Sequence, residues 1–215
     1  MVSRGGSVRI IYEDPLFVVV DKPGGLLSVP GRGEDKQDCV VNRLKKLFPC
    51  CMEQPSVHRL DMDTSGLIVL AITPRAHRHL SIQFQNRMVE KRYAALLDGI
   101  VNEEAGEIRL PFRLDPDNRP YQVYDPVNGK MGISLWQNLG NDEGRTRMAF
   151  IPLTGRTHQL RVHSAHELGL GCPIVGDRLY GNGRSGDQLM LYARYLRFRH
   201  PEKGEPLVFE SPVPF

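Results

Sequence analysis

The chain has 215 residues, enough for one large domain or two tight subdomains with a shared core, and Lys plus Arg number 28 against 25 acids, so the net charge of +3 permits a nucleic-acid partner without demanding one. Cys39, Cys50, Cys51 and Cys172 are too scattered for a disulfide framework, Met1 to Arg9 lacks the apolar run of a signal peptide, and no segment approaches the ~20 apolar residues of a membrane span. A secreted disulfide scaffold and a membrane partner are thereby excluded, and a monomer in the reducing cytoplasm is expected.

Phe17-Val18-Val19-Val20 is a β-branched run broken by Asp21-Lys22-Pro23-Gly24-Gly25, which predicts a strand, a turn and an extended edge through Gly31. Asp38 is placed to cap a helix that turns Val40, Val41, Leu44, Leu47 and Phe48 inward and Arg43, Lys45 and Lys46 outward. Leu67 to Ala71 has the composition of a strand buried on both faces. Thr73-Pro74 supplies a cap and a first-turn proline for a helix with Leu80 and Phe84 on one face, ending near Asn86. Lys91 to Leu97 and Arg145 to Leu153 read as strands, the second alternating Arg145, Arg147 and Ala149 with Thr146, Met148 and Phe150. Between them Pro111, Pro116, Pro120 and Pro126 predict a loop-rich stretch. Thr157 is the expected cap of a helix from His158 to about Glu167, stopped by Gly169 and Gly171, and Leu207 to Glu210 is the closing strand. Strands outnumber helices without regular βαβ alternation, so the class is α+β with a mixed, largely antiparallel sheet flanked by helices.

The most informative stretch is His58-Arg59-Leu60-Asp61-Met62-Asp63-Thr64-Ser65-Gly66, a polar loop feeding directly into the buried strand. A reactive group on a short loop anchored by a central strand keeps its position, whereas a solvated surface acid does not. Asp61 is the first candidate. Other matches fail their context. Gly181 to Gly186 fits G-x-G-x-x-G but neither follows an apolar strand nor opens a helix, and Asp61-x-Asp63-x-Ser65-Gly66 puts Ile72 where a calcium loop needs its glutamate. His158 and His163 lie five positions apart, ~140° around a helix, so no metal is expected. A second polar stretch, Thr154-Gly155-Arg156-Thr157-His158-Gln159, opens the helix that holds Arg161, where N–H groups and cations favour phosphate or carboxylate.

These segments resemble the RluA family of RNA pseudouridine synthases. The matching residues are His58-Arg59-Leu60-Asp61-x-x-Thr64-Ser65-Gly66, Lys91-x-Tyr93, Leu153 through His163, and Pro173-Ile174-Val175-Gly176-Asp177-x-x-Tyr180-Gly181, in family order. The resemblance implies a single catalytic domain over residues 1–215, in the compact form without an S4-like N-terminal domain, with a central RNA-binding cleft. It implies that Asp61 is the catalytic aspartate, that Tyr93 packs against the target uracil, and that Arg161 pairs with Asp61. A guanidinium beside the aspartate would favour its ionised form. Arg59 is the expected wedge that fills the gap left by the flipped uridine, with a loop brace as its alternative; Arg156, His158 and Gln159 complete the expected RNA-binding set. No cofactor is implied. The stretch Leu26 to Arg32 looks like the family member acting on both large-subunit ribosomal RNA and a tRNA anticodon stem-loop. The longer Ser164 to Cys172 segment, with Cys172 where a histidine is usual, departs from it and is expected beside the cleft. Competing readings are a non-catalytic RNA-binding module and a phosphohydrolase using Asp61 and Asp63 with magnesium.

Overall fold

The computed structural model describes residues 8–215, so most of the terminal stretch read as lacking a signal peptide lies outside the described residues. In chain order the elements are β1 (Arg9–Glu13), β2 (Phe17–Lys22), α1 (Val40–Leu47), β3 (Ser65–Ala71), α2 (Pro74–Gln85) and β4 (Glu90–Asp98). There follow β5 (Ala105–Leu114), β6 (Gln122–Tyr124), β7 (Lys130–Asp142), β8 (Arg145–Pro152), α3 (Gln159–Ala165), β9 (Leu191–Arg199) and β10 (Pro206–Glu210). The class is α+β, as expected. The chain divides into two compact units, one comprising the described residues up to Glu90 with Ala193–Pro212, the other Lys91–Tyr192 with Val213–Phe215. Among the described residues no helix is long and apolar enough to cross a membrane.

In the first unit the strands run β1–β2–β3–β9, and β10 pairs antiparallel with β9. β2 and β3 are antiparallel, with Val18 opposite Leu70 and Lys22 opposite Gly66. Every residue of β3 is buried, and on one of its faces α2 lays Ala76 and Leu80 into a cluster with Phe17, Val19, Leu67, Val69 and Phe198. Each such Leu or Phe contributes on the order of 1.5–3 kcal/mol by leaving water. α2 begins as predicted, with Thr73 Oγ1 accepting the Ala76 N–H at 3.3 Å and Pro74 in the first turn. α1 is capped differently. The Cys39 sulfur accepts the Asn42 N–H at 3.4 Å, while Asp38 takes two guanidinium N–H groups of Arg43 at 2.7 Å each. A charge-assisted pair outcompetes the neutral capping bond for that carboxylate. Leu47, expected inward, is in the last turn and 53% exposed.

The second unit orders its strands β4–β8–β7–β5–β6, each neighbour antiparallel. β8 shows the predicted alternation, burying Thr146, Met148 and Phe150 and exposing Arg145 and Arg147. The expected proline-rich stretch is loop over residues 115–121 and 125–129, which hold Pro116, Pro120 and Pro126, but it also takes in the end of β5, β6 and the start of β7. Pro111 lies within β5, paired with Met131, and its carbonyl accepts the Asp125 N–H at 3.1 Å. A proline survives in a strand where its missing N–H is not needed. α3 is shorter than expected and Thr157 does not cap it. Its N-cap is His158, in the left-handed region at φ 56° with no side-chain cap bond. Gln159 Oε1 reaches back to accept the Arg156 N–H at 3.0 Å and the Thr154 hydroxyl at 2.7 Å, satisfying the entry that a cap would have served.

Candidate active site

Asp61 belongs to the first unit, in the turn that precedes β3. The Thr64 N–H donates to the Asp61 carbonyl at 3.2 Å and closes that turn. Downstream, a Cβ at Gly66 (φ 110°) would collide with the Ala193 backbone, so this position demands glycine on both conformational and steric grounds. Upstream, His58 Nε2 accepts the Val69 N–H at 3.1 Å, and its ring stacks on Phe84 with centroids 4.3 Å apart. The Asp61 and Asp63 side chains are half-buried, while Arg59 and Met62 are exposed.

Beneath the loop lies Lys22, fully buried at the end of β2. Its ammonium donates to the carbonyls of Leu26 at 2.7 Å, Met62 at 2.8 Å and Pro23 at 3.0 Å. Burial lowers its pKa from 10.5 to about 7, although Asp61 and Asp63 pull the other way. Ser28 makes the next attachment: its hydroxyl donates to the Leu60 carbonyl at 2.7 Å and accepts the Leu60 N–H at 3.1 Å. The loop's backbone on both sides of Asp61 is therefore tied to the end of β2 and the segment that follows it.

Tyr93 and Arg161 belong to the second unit. Tyr93 is half-buried on β4, opposite Phe150. Lys91, two residues earlier on the same strand, shares its face. Its ammonium lies 3.9 Å from where a Gly155 Cβ would be, and burial lowers its pKa with no opposing acid. Arg161 is 2% exposed and gripped bidentately by Asp177, Nε to Oδ2 at 2.8 Å and Nη2 to Oδ1 at 2.6 Å. Burial alone would raise the Asp177 carboxyl, but the Arg161 bonds and charge and the N–H groups of Leu179 and Tyr180 outweigh it and leave the pKa below the usual range. The guanidinium also lies 5.4 Å from the Tyr180 ring centroid.

The expected RNA-binding set separates by burial. Arg59 and Arg156 are exposed, and Arg156 Nε donates to the Met131 carbonyl at 3.3 Å. Gln159, 4% exposed, is instead a framework residue whose amide donates to the Ile133 carbonyl at 3.0 Å and the Ser134 hydroxyl at 2.9 Å. His158 is likewise internal, 2.8 Å through Nδ1 from the Tyr180 hydroxyl, which also accepts the Gln122 N–H. Cys172 corrects a further expectation. Its Sγ lies against Gly99, and Asp98 N–H bonds the Pro173 carbonyl, so it sits at the far end of β4, about 17 Å along the strand from Tyr93. The sequence reading missed Lys22, Ser28, Lys91 and Asp177 as site residues. The available signals were a lysine directly after an apolar strand, and Lys91 and Asp177 standing inside recognised motifs.

A sequence-family profile described as RNA pseudouridylate synthase matches residues 16–166. A dual-specificity RNA pseudouridine synthase RluA from Yersinia pestis is 41% identical over 210 residues, covering 96% of this chain and 99% of that protein. The protein of the same name from Escherichia coli strain K12 is 40% identical, covering 96% and 93%. Among solved structures, human RNA pseudouridylate synthase domain containing 1 superposes with a TM-score of 0.78 at 30% identity, covering 97% of this chain and 84% of that one. Human RNA pseudouridylate synthase domain containing 4 gives 0.74 at 25% identity, covering 96% and 88%.

Proposed function

Given that the chain belongs to the RNA pseudouridylate synthase family, we propose that it isomerises particular uridines in structured RNA through Asp61, with large-subunit ribosomal RNA and a tRNA anticodon stem-loop as its target classes. The observation that supports this most is the fixing of Asp61: a half-buried carboxylate on a turn tied from below by Lys22 and Ser28 and continued by a fully buried strand. Preorganisation of this kind is what an acid needs to meet a reacting atom in one geometry.

The reaction breaks the bond from C1′ to N1 of uracil, turns the base, and makes a bond from C1′ to C5; the C5 hydrogen leaves as a proton and N1 ends protonated. No electron is gained or lost, so neither a redox cofactor nor an external energy source is required. Asp61 acts ionised, as nucleophile or base. Tyr93 offers a flat face to a uracil taken from its stack. Arg161, oriented by Asp177, is the cation assigned to the acid, and the exposed Arg59 is the wedge. The relatives' dual specificity supports more than one RNA class as target. Four free thiols suit a reducing cytoplasm.

A magnesium-dependent phosphohydrolase is disfavoured, because the charges of Asp61 and Asp63 already act on the buried Lys22. The test maps pseudouridine across total RNA from cells lacking the gene and cells given it back. Sites that vanish and return establish the activity and name the RNA. An unchanged map in a strain with no second gene of this family overturns the reading.

A further inference from the structure

The segment Leu26 to Arg32 resembles, in sequence, the family member with two RNA targets, yet its placement gives Ser28 a different task. The Val40 N–H donates to the Leu27 carbonyl at 2.9 Å and the Val41 N–H to the Ser28 carbonyl at 3.3 Å. The first turn of α1 thus holds the Ser28 backbone with N–H groups that have no partner inside the helix. From that fixed backbone the hydroxyl of Ser28, a residue 3% exposed, engages both polar groups of Leu60, the residue directly before Asp61. One side chain here replaces the pair of hydrogen bonds that a neighbouring strand would supply, and it does so at the last residue before the candidate acid. The Leu60 side chain, 5% exposed, adds packing to the same attachment.

We propose that Ser28 is a positioning residue for Asp61, holding the Leu60 backbone from the start of α1 so that the carboxylate meets its substrate in one orientation. This inference rests on the reading of Asp61 as the catalytic acid. Ser28 touches no reacting atom. Its loss allows the peptide before Asp61 to rotate, and a displacement near 1 Å at a reacting group costs up to about a hundredfold in rate. Binding of RNA, which depends on charge and groove contacts elsewhere, is untouched.

The test compares the full-length wild type, Ser28→Ala, Ser28→Cys and Asp61→Asn, using tritium release from unmodified [5-³H]uridine-labelled RNA of cells lacking the gene. Ser28→Ala removes both hydrogen bonds without adding bulk, and Ser28→Cys keeps a somewhat larger γ atom whose thiol is only a weak donor and acceptor. Thermal unfolding of each variant is recorded, and rates are taken well below every midpoint. The proposal predicts that Ser28→Cys and Ser28→Ala both lower kcat by roughly tenfold or more while KM stays within about twofold. A serine serving stability alone would lower the midpoint and leave kcat of the folded enzyme intact. Wild-type kcat in both Ser28 variants, beside an inactive Asp61→Asn, overturns the positioning role and leaves the catalytic reading standing. Retained turnover in Asp61→Asn overturns the catalytic reading itself, whatever Ser28 does.

Discussion

Lys22 sets up an unusual dependence of stability on pH. In the unfolded chain its amine titrates at 10.5, and in the folded protein burial brings this to about 7. Below pH 7 both states hold the proton and the folded state bears the whole cost of a buried ammonium. Between 7 and 10.5 the unfolded state binds more protons than the folded one, so stability rises with pH, by about 1.4 kcal/mol per unit and about 5 kcal/mol across the window. Replacement by methionine, similar in length and apolar, removes the titration while leaving the carbonyls of Pro23, Leu26 and Met62 without their donor. The variant's stability relative to wild type should therefore be highest at low pH and fall steadily as the medium becomes alkaline. Urea unfolding at several points from pH ~6.5 to ~9.5 should show the wild type gaining about 3 kcal/mol on Lys22→Met, a difference in which other titrating groups cancel. A change below about 1 kcal/mol across that range refutes the account of Lys22 as a desolvated, titrating anchor.

Asp177→Ala leaves Arg161 buried without its bidentate partner and should lower stability by about 3–5 kcal/mol, read by the same urea experiment. Lys91→Met removes a partly desolvated cation on the strand face it shares with Tyr93; it should raise KM for RNA and reduce the slope of log affinity against log salt by about 0.7–0.9, measured by filter binding.

The strands and helices that were legible in the sequence are those whose burial is one-sided or total. β3 was plain because seven buried positions in a row leave only apolar and small residues, and β8 because its charges alternate with Met148 and Phe150. The end of β5 was hidden by Pro111, whose strand position does not require an N–H, and the short β6 by the loops on either side of it that hold Pro116, Pro120 and Pro126. Capping misled twice for one reason. Asp38 and Thr157 have capping chemistry, but competing side-chain bonds spanning three to five residues assigned the work elsewhere, Arg43 drawing off the Asp38 carboxylate and Gln159 folding back over the start of α3. At the site, Asp61 could be recognised by its loop, whereas its supports could not. Ser28 and Leu60 are separated by 32 positions, and nothing local in either stretch announces that one hydroxyl will satisfy a distant backbone. Arg161 was read toward Asp61 from a resemblance; the grip of Asp177, sixteen residues away, is a tertiary fact.

The most direct test of the central claim is single-turnover tritium release from unmodified [5-³H]uridine RNA by wild type and Asp61→Asn, with excess EDTA present throughout. The account predicts full wild-type turnover in EDTA and none above background for Asp61→Asn, with RNA affinity changed by no more than a few fold. Turnover by Asp61→Asn, or a wild-type reaction abolished by EDTA and restored by magnesium, would contradict it.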